Sequence, residues 1–159
     1  MGDRLLQIGC GDGRLLAALG AKVGLSGRAC GLDESTDALA RAERAAADEG
    51  VLLELQQSPH ATTPFDGGSF DVVVLHAVLP AAPPERRVAM VGEAIRLLRG
   101  GGRCLIVDPA ARGGLGALLT PRRDAHYQPA ELLRSGGCKA VRVVAEQGGL
   151  LFVEGVKGA

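Results

Sequence analysis

Three glycines at alternate positions, Gly9, Gly11 and Gly13, follow a short apolar run near the start of the chain. Residues 4–8 have the pattern of a strand and residues 14–19 contain good helix formers, so the glycines lie in a strand-to-helix turn. Glycine lets the backbone approach a ligand closely, and the first turn of a helix offers free N–H groups. The spacing favours a binding turn, with a tight turn that merely packs the helix on the strand as an equal alternative.

A carboxylate, Asp33, ends the second predicted strand, which covers residues 28–33. Ligands of open parallel sheets lie outside the carboxyl ends of the strands, beside the first strand. From that position a carboxylate can accept hydrogen bonds from both hydroxyls of a ribose, at about 1.5–3 kcal/mol each. The alternative is that Asp33-Glu34-Ser35 is a solvated helix entrance. Together the glycine turn and Asp33 predict an adenosine-containing cofactor.

Short apolar runs alternate with helical segments through most of the chain. The predicted strands cover residues 4–8, 28–33, 51–56, 70–75 and 103–108, and the predicted helices include residues 14–19, 37–48 and 129–134. A further helix opens at Pro83 and Pro84 and is closed by Gly100-Gly101-Gly102. This alternation predicts an α/β fold with a doubly wound, mainly parallel, Rossmann-like sheet. The fourth strand is almost continuously apolar and should lie centrally.

The end of the chain departs from this rhythm. Residues 140–145 and 150–156 are both strand-like, and only four residues separate them. A parallel return needs a dozen or more residues, so these strands must form a C-terminal antiparallel hairpin. No repeat or linker divides the sequence, which predicts a single domain over residues 1–159.

Composition excludes several classes of partner. Eighteen Lys and Arg balance eighteen Asp and Glu, so no net charge attracts nucleic acid, and three Phe with one Tyr offer few stacking platforms for bases. We therefore expect no nucleic acid partner and, without a long apolar run, no membrane insertion. With no apolar leader, a cytoplasmic location is expected. The four cysteines are widely spaced, which favours buried core residues and predicts no metal site.

Four stretches, taken in order, resemble the class I S-adenosylmethionine-dependent methyltransferases. The likeness is greatest to the small-molecule branch near the ubiquinone and menaquinone biosynthesis enzymes. The stretches are Leu6-Gln7-Ile8-Gly9-Cys10-Gly11-Asp12-Gly13, Gly31-Leu32-Asp33, Pro64-Phe65-Asp66-Gly67-Gly68-Ser69-Phe70-Asp71-Val72-Val73 and Leu98-Arg99-Gly100-Gly101-Gly102-Arg103. The resemblance covers nearly the whole chain and implies a methyltransferase-like fold, whose reversed last strand agrees with the predicted hairpin.

The resemblance also implies a cofactor, S-adenosylmethionine, and methyl transfer to a small molecule. Gly9, Gly11 and Gly13 would line its methionine portion, and Asp33 would hold its ribose. The full set of cofactor-binding residues that it implies is Gln7, Gly9, Cys10, Gly11, Gly13, Asp33 and Glu34. His76, just after the fourth strand, is the candidate catalytic base, with a hydrogen-bonded structural histidine as the alternative. His126 and Tyr127 are weaker candidates for the same pocket.

Three departures from the family pattern bear on activity. Gln7 stands where the family usually has an acidic residue that anchors the cofactor ammonium, and Pro59 replaces the Asp that usually meets the adenine amino group. His60, beside it, is interpreted as a loop residue. The first strand begins almost at Met1, so the helices that often cap the substrate pocket are not expected. An open cofactor cleft would then need a lid from a protein partner or from residues 109–128.

These departures leave alternatives open. A methyltransferase-like, non-catalytic accessory subunit of a larger complex is the second hypothesis, since fold alone does not establish activity. A nucleotide-dependent oxidoreductase is the third. It is disfavoured by the hairpin and by Arg14, which stands where the dinucleotide fingerprint has its last glycine.

Overall fold

The computed structural model describes residues 2–110 and 126–159 of the chain. In chain order its elements are β1 (Arg4–Ile8), α1 (Arg14–Val23), β2 (Arg28–Asp33), α2 (Thr36–Glu49), β3 (Glu54–Gln57), β4 (Phe70–His76), α3 (Pro84–Leu97), β5 (Leu98–Pro109), α4 (Pro129–Ser135), β6 (Cys138–Gln147) and β7 (Leu150–Lys157).

The strands form one seven-stranded sheet in the order β3-β2-β1-β4-β5-β7-β6. The first five strands in chain order are parallel, and β7 pairs antiparallel with both β5 and β6. The predicted fold class is therefore confirmed, including the central fourth strand and the C-terminal hairpin. The hairpin turns at Gly148 and Gly149, both with positive φ, as a two-residue turn requires. Strand order reverses between β1 and β4, so the ligand edge of the sheet lies there.

Helices cover both faces of the sheet because alternate strand residues point to opposite faces. One face of β1 presents Leu6 and Ile8 to the larger core, which also takes residues from α3 and α4. The other face presents Leu5 to a smaller core formed with α1 and α2. The four cysteines are all buried, as predicted.

Two helix ends differ from their predicted positions. Gly20 does not stop α1, which continues to Val23, because this glycine is helical and leaves space for Val51 and Leu53. The α3 helix ends at Leu97, and the glycines at 100–102 lie inside the long strand β5. Among the described residues, no helix combines the length and apolarity needed to span a bilayer.

Candidate functional site

The glycine turn after β1 is packed tightly against its neighbours. A Cβ at Gly9 would lie 2.5 Å from the carbonyl oxygen of His76, and a Cβ at Gly13 would lie 2.4 Å from Cα of Ala42. Both glycines also have positive φ, which residues with a Cβ rarely adopt. Packing and backbone conformation therefore account for Gly9 and Gly13. At Gly11 a Cβ would be 3.4 Å from the His76 ring, an ordinary contact, so here the positive φ is what favours glycine.

Asp33 joins the end of β2 to this turn. One carboxylate oxygen accepts the backbone N–H of Cys10 at 2.7 Å, and the other accepts the N–H of Ser35 at 2.9 Å. Asp33 is 9% exposed, and both bonds are charge-assisted, the one from Cys10 buried and the one from Ser35 partly buried. The glycine turn and the carboxylate that the sequence singled out are thus in direct contact, and Asp33 also begins the turn into α2.

Gln7 of β1 and His76 of β4 lie beneath the turn on one face of the sheet, with Gln7 paired to Val74, two residues before His76. The Gln7 Nε2 donates to the Gly9 carbonyl at 2.8 Å and lies 3.3 Å from Nδ1 of His76. An amide nitrogen can only donate, so this contact is a hydrogen bond in the His76 tautomer that carries its ring proton on Nε2. The Gln7 side chain is fully buried, and its Oε1 has no hydrogen-bond partner in the described parts of the chain.

Burial sets the protonation of two groups near the turn. It lowers the pKa of His76 below its usual value, which favours the neutral imidazole at neutral pH. It also raises the pKa of the Cys10 thiol to about 12, with the charge of Asp33 acting in the same direction. Cys10 is therefore a neutral, unreactive thiol whose contribution to the site is its backbone N–H.

Glu34 follows Asp33 and faces a different group of residues. Its Oε1 accepts the backbone N–H of His60 at 3.1 Å and pairs with the guanidinium of Arg86 from α3. The His60 bond, followed by the Arg86 bond, keeps the pKa of Glu34 low. His60 is mostly buried, and its Nε2 has no partner among the residues described. Residues 34 and 60 are therefore bonded to each other, and His60 lies in a turn, as predicted.

A second polar group lies across the sheet from His76. Tyr127 donates its hydroxyl hydrogen to the buried Asp108 near the end of β5, and the Arg87 guanidinium lies 4.6 Å from the centre of the Tyr127 ring. His76 pairs with Val107, so Asp108, one residue further, points to the opposite face. Sequence analysis missed Asp108 and Arg87. The signal available for Asp108 was its place near the carboxyl end of a buried parallel strand.

The structure therefore brings most of the predicted cofactor residues together. Gln7, the glycine turn with Cys10, and Asp33 are joined by hydrogen bonds, and His76 contacts Gln7 and the turn. Tyr127 contacts Asp108, which points to the face of the sheet opposite His76. Residues 111–125, within the predicted lid, lie outside the described residues.

Comparisons with known proteins agree with this architecture. A family profile described as a methyltransferase domain matches residues 5–102. The chain is 32% identical to 27-O-demethylrifamycin SV methyltransferase of Amycolatopsis mediterranei over 146 residues, 91% of this chain and 49% of that protein. It is 33% identical to demethylmenaquinone methyltransferase of Lactococcus lactis over 113 residues, 68% of this chain and 44% of that protein. The chain thus spans about half the length of these curated relatives.

A solved structure shows the same fold. The crystal structure of a SAM-dependent methyltransferase from Aquifex aeolicus superposes with a TM-score of 0.78, at 20% sequence identity, over 98% of this chain and 82% of that chain. Because the family profile covers more than half of the sequence, the chain belongs to the methyltransferase domain family.

Proposed function

We propose that this chain binds S-adenosylmethionine at the glycine turn and transfers its methyl group to a small molecule. The observation that carries the proposal is the contact between Cys10 and Asp33, which places the turn and a buried carboxylate at one point of the carboxyl edge. Membership of the methyltransferase family and the names of the two curated relatives support it.

The residues present fit this cofactor. The Gln7 Oε1 is a buried acceptor with no partner among the described residues, and a buried acceptor left unpaired costs about 1–3 kcal/mol. The Gly9 carbonyl sets the orientation of the Gln7 amide, because a flipped amide would place Oε1 against the carbonyl oxygen of Gly9. A ligand ammonium would satisfy Oε1, although with a weaker bond than a carboxylate would form. Each oxygen of Asp33 carries one backbone bond and retains a lone pair for a ribose hydroxyl.

When bound, the sulfonium of S-adenosylmethionine supplies a methyl group for direct displacement. The chain's own contribution is to bind, orient and exclude water, which are the main sources of acceleration for such a reaction. In the tautomer that accepts the Gln7 amide at Nδ1, His76 carries its ring proton on Nε2. For His76 to act as the proposed base, its lone pair on Nδ1 must first be released from the Gln7 amide.

Calorimetric titration with S-adenosylmethionine at millimolar concentration tests the proposal. We expect saturable heat from the unaltered chain, and at least a tenfold weaker dissociation constant for Asp33→Ala, which corresponds to at least 1.4 kcal/mol. Asp37→Ala is the matched control, because Asp37 is an exposed carboxylate in the first turn of α2. No heat from the unaltered chain, or equal affinity in Asp33→Ala, would contradict the proposal.

The alternative of a non-catalytic accessory subunit stays a prediction, as does a protein partner over the cofactor cleft. Turnover of a small-molecule acceptor by the isolated chain would remove the accessory alternative. A stoichiometric partner that blocks access of the cofactor to Gly11 and Asp33 would favour it.

A further inference from the structure

An open cleft of about 580 Å³ lies beside the carboxyl ends of β2 and β3. It is lined by Glu34, Gln57, Ser58, Pro59 and Arg86. Asp33 immediately precedes Glu34, so the cleft adjoins the carboxylate proposed to hold the ribose. This position at the carboxyl edge makes the cleft a candidate site for the base that such a ribose carries.

Arg86 is held in a fixed position at the cleft. It lies in the first turn of α3, where its backbone N–H bonds to the carbonyl of Pro83. Its guanidinium pairs with Glu34, and Glu34 is itself held by the backbone N–H of His60. The Arg86 side chain is still 46% exposed. A planar cation is therefore restrained at one edge while much of its surface stays accessible.

The other polar side chains that line the cleft are bonded to the protein. Gln57 donates its amide to the Glu34 carbonyl at 3.1 Å, and the Ser58 hydroxyl donates to the Thr62 carbonyl at 3.1 Å. Pro59 has neither a carboxylate nor an N–H to offer to a base. The guanidinium is thus the group in this cleft best suited to contact the face of a flat ring, since Arg stacks readily on bases.

We propose that Arg86, positioned by Glu34, binds the purine ring of the cofactor by stacking in this cleft. This inference rests on the proposed function and names the residue that recognises the base. Stacking depends on the π-face of the ring rather than on its hydrogen-bonding edge, so it tolerates a change of base. Arg86 would therefore increase the affinity for the cofactor while discriminating little between one purine base and another.

The test measures dissociation constants for S-adenosylhomocysteine and S-inosylhomocysteine by calorimetry. The unaltered chain is expected to bind both within about threefold. Arg86→Gln should weaken both about tenfold. Arg86→Lys keeps the charge but loses the plane, and should fall close to Arg86→Gln.

Arg134→Gln is the matched control. Arg134 is also about half exposed and paired with a glutamate, Glu131, but it lies on α4. It should bind as the unaltered chain does, and equal thermal midpoints for the Arg86→Gln and Arg134→Gln variants would show that both fold.

Three results would overturn the inference while leaving the proposed function intact. These are normal binding by Arg86→Gln, full rescue by Arg86→Lys, and a preference of more than tenfold for the adenosyl compound, which would indicate hydrogen-bond recognition of the amino group. Absence of binding by the unaltered chain would remove the proposed function and this inference together.

Discussion

Gln7 is the residue whose chemistry departs most from the family pattern at the centre of the site. Its amide bonds to Gly9 and His76, and the side chain is fully buried. A carboxylate in the same place would set a charged oxygen against the Gly9 carbonyl. In this chain the amide therefore stabilises the turn, and its replacement by an acidic residue should not be neutral.

We predict that Gln7→Glu lowers the free energy of unfolding by about 1–3 kcal/mol at pH 8, because it replaces a buried donor with a charged acceptor. Burial raises the pKa of the introduced carboxyl above the unfolded value of about 4.3. The folded state then binds the proton more tightly than the unfolded state, so the loss should grow as the pH rises above that value. Urea denaturation at pH 5 and pH 8 measures the difference.

Gln57→Glu is the control for this prediction. Gln57 also donates its amide to a backbone carbonyl, that of Glu34, but it is exposed at the edge strand β3. Its variant should lose little stability at either pH. Equal losses in the two variants, or a loss in Gln7→Glu that does not depend on pH, would show that the Gln7 amide has no special role in the turn.

For individual residues, the sequence predicted that Asp33 and the glycine turn lie together, but it did not predict the hydrogen bonds that join them. The apposition of Asp33 and the glycine turn follows from parallel topology, because the carboxyl ends of β1 and β2 share one edge. The two bonds that Asp33 accepts from the N–H groups of Cys10 and Ser35 depend on how closely the turn approaches β2 in the folded chain. The contact of His76 with Gln7 likewise depends on the β1–β4 register.

Among the elements, α1 and α2 determine where the glycine turn lies. Gly13 caps α1 with φ 83° and lies directly against Ala42 of α2, so the absence of a side chain lets the two helices meet. Gly50 ends α2 with φ 64° and has open space where a Cβ would be. The two glycines share a left-handed conformation and differ in packing.

We predict that Gly50→Ala lowers the free energy of unfolding by about 1–2 kcal/mol, the cost of a left-handed alanine. Gly13→Ala adds a clash with the α2 backbone and should lose at least a further 1–3 kcal/mol. Chemical denaturation of both variants measures the difference. Equal losses would mean that α1 shifts away from α2 without penalty.

Apolar spacing alone locates the core face of α3 only in part. Val88, Val91, Ile95 and Leu98 recur at helical spacing, yet Val88 is 62% exposed. The buried set is Arg87, Met90, Val91, Ala94 and Leu97. Arg87 is buried because its guanidinium bonds to the carbonyls of Leu79 and Pro80 and stacks on Tyr127. Apolar spacing does not predict a buried charged residue, because the contacts that compensate its charge come from other parts of the fold.

At the scale of the whole molecule, the alternation of strands and helices was sufficient to predict the mixed sheet and its reversed last pair. The alternation did not predict that the described part of the chain has a cavity at each of the two ends of its parallel strands. The cleft beside Arg86 adjoins the carboxyl edge, whereas a second hollow of about 350 Å³ lies between the ends of α1 and α2 and the start of β3. Leu25 and Leu52 line that second hollow and are 100% and 87% exposed.

The most direct test of the central claim maps backbone amide shifts of the isotope-labelled chain by NMR as S-adenosylhomocysteine is added. The predicted result is that the largest shifts fall on Gly9–Gly13, Asp33, Glu34 and His76, while Leu25 and Leu52 stay unchanged. Shifts concentrated on Leu25 and Leu52, or no shifts at millimolar ligand, would contradict a cofactor site at the carboxyl edge of the sheet.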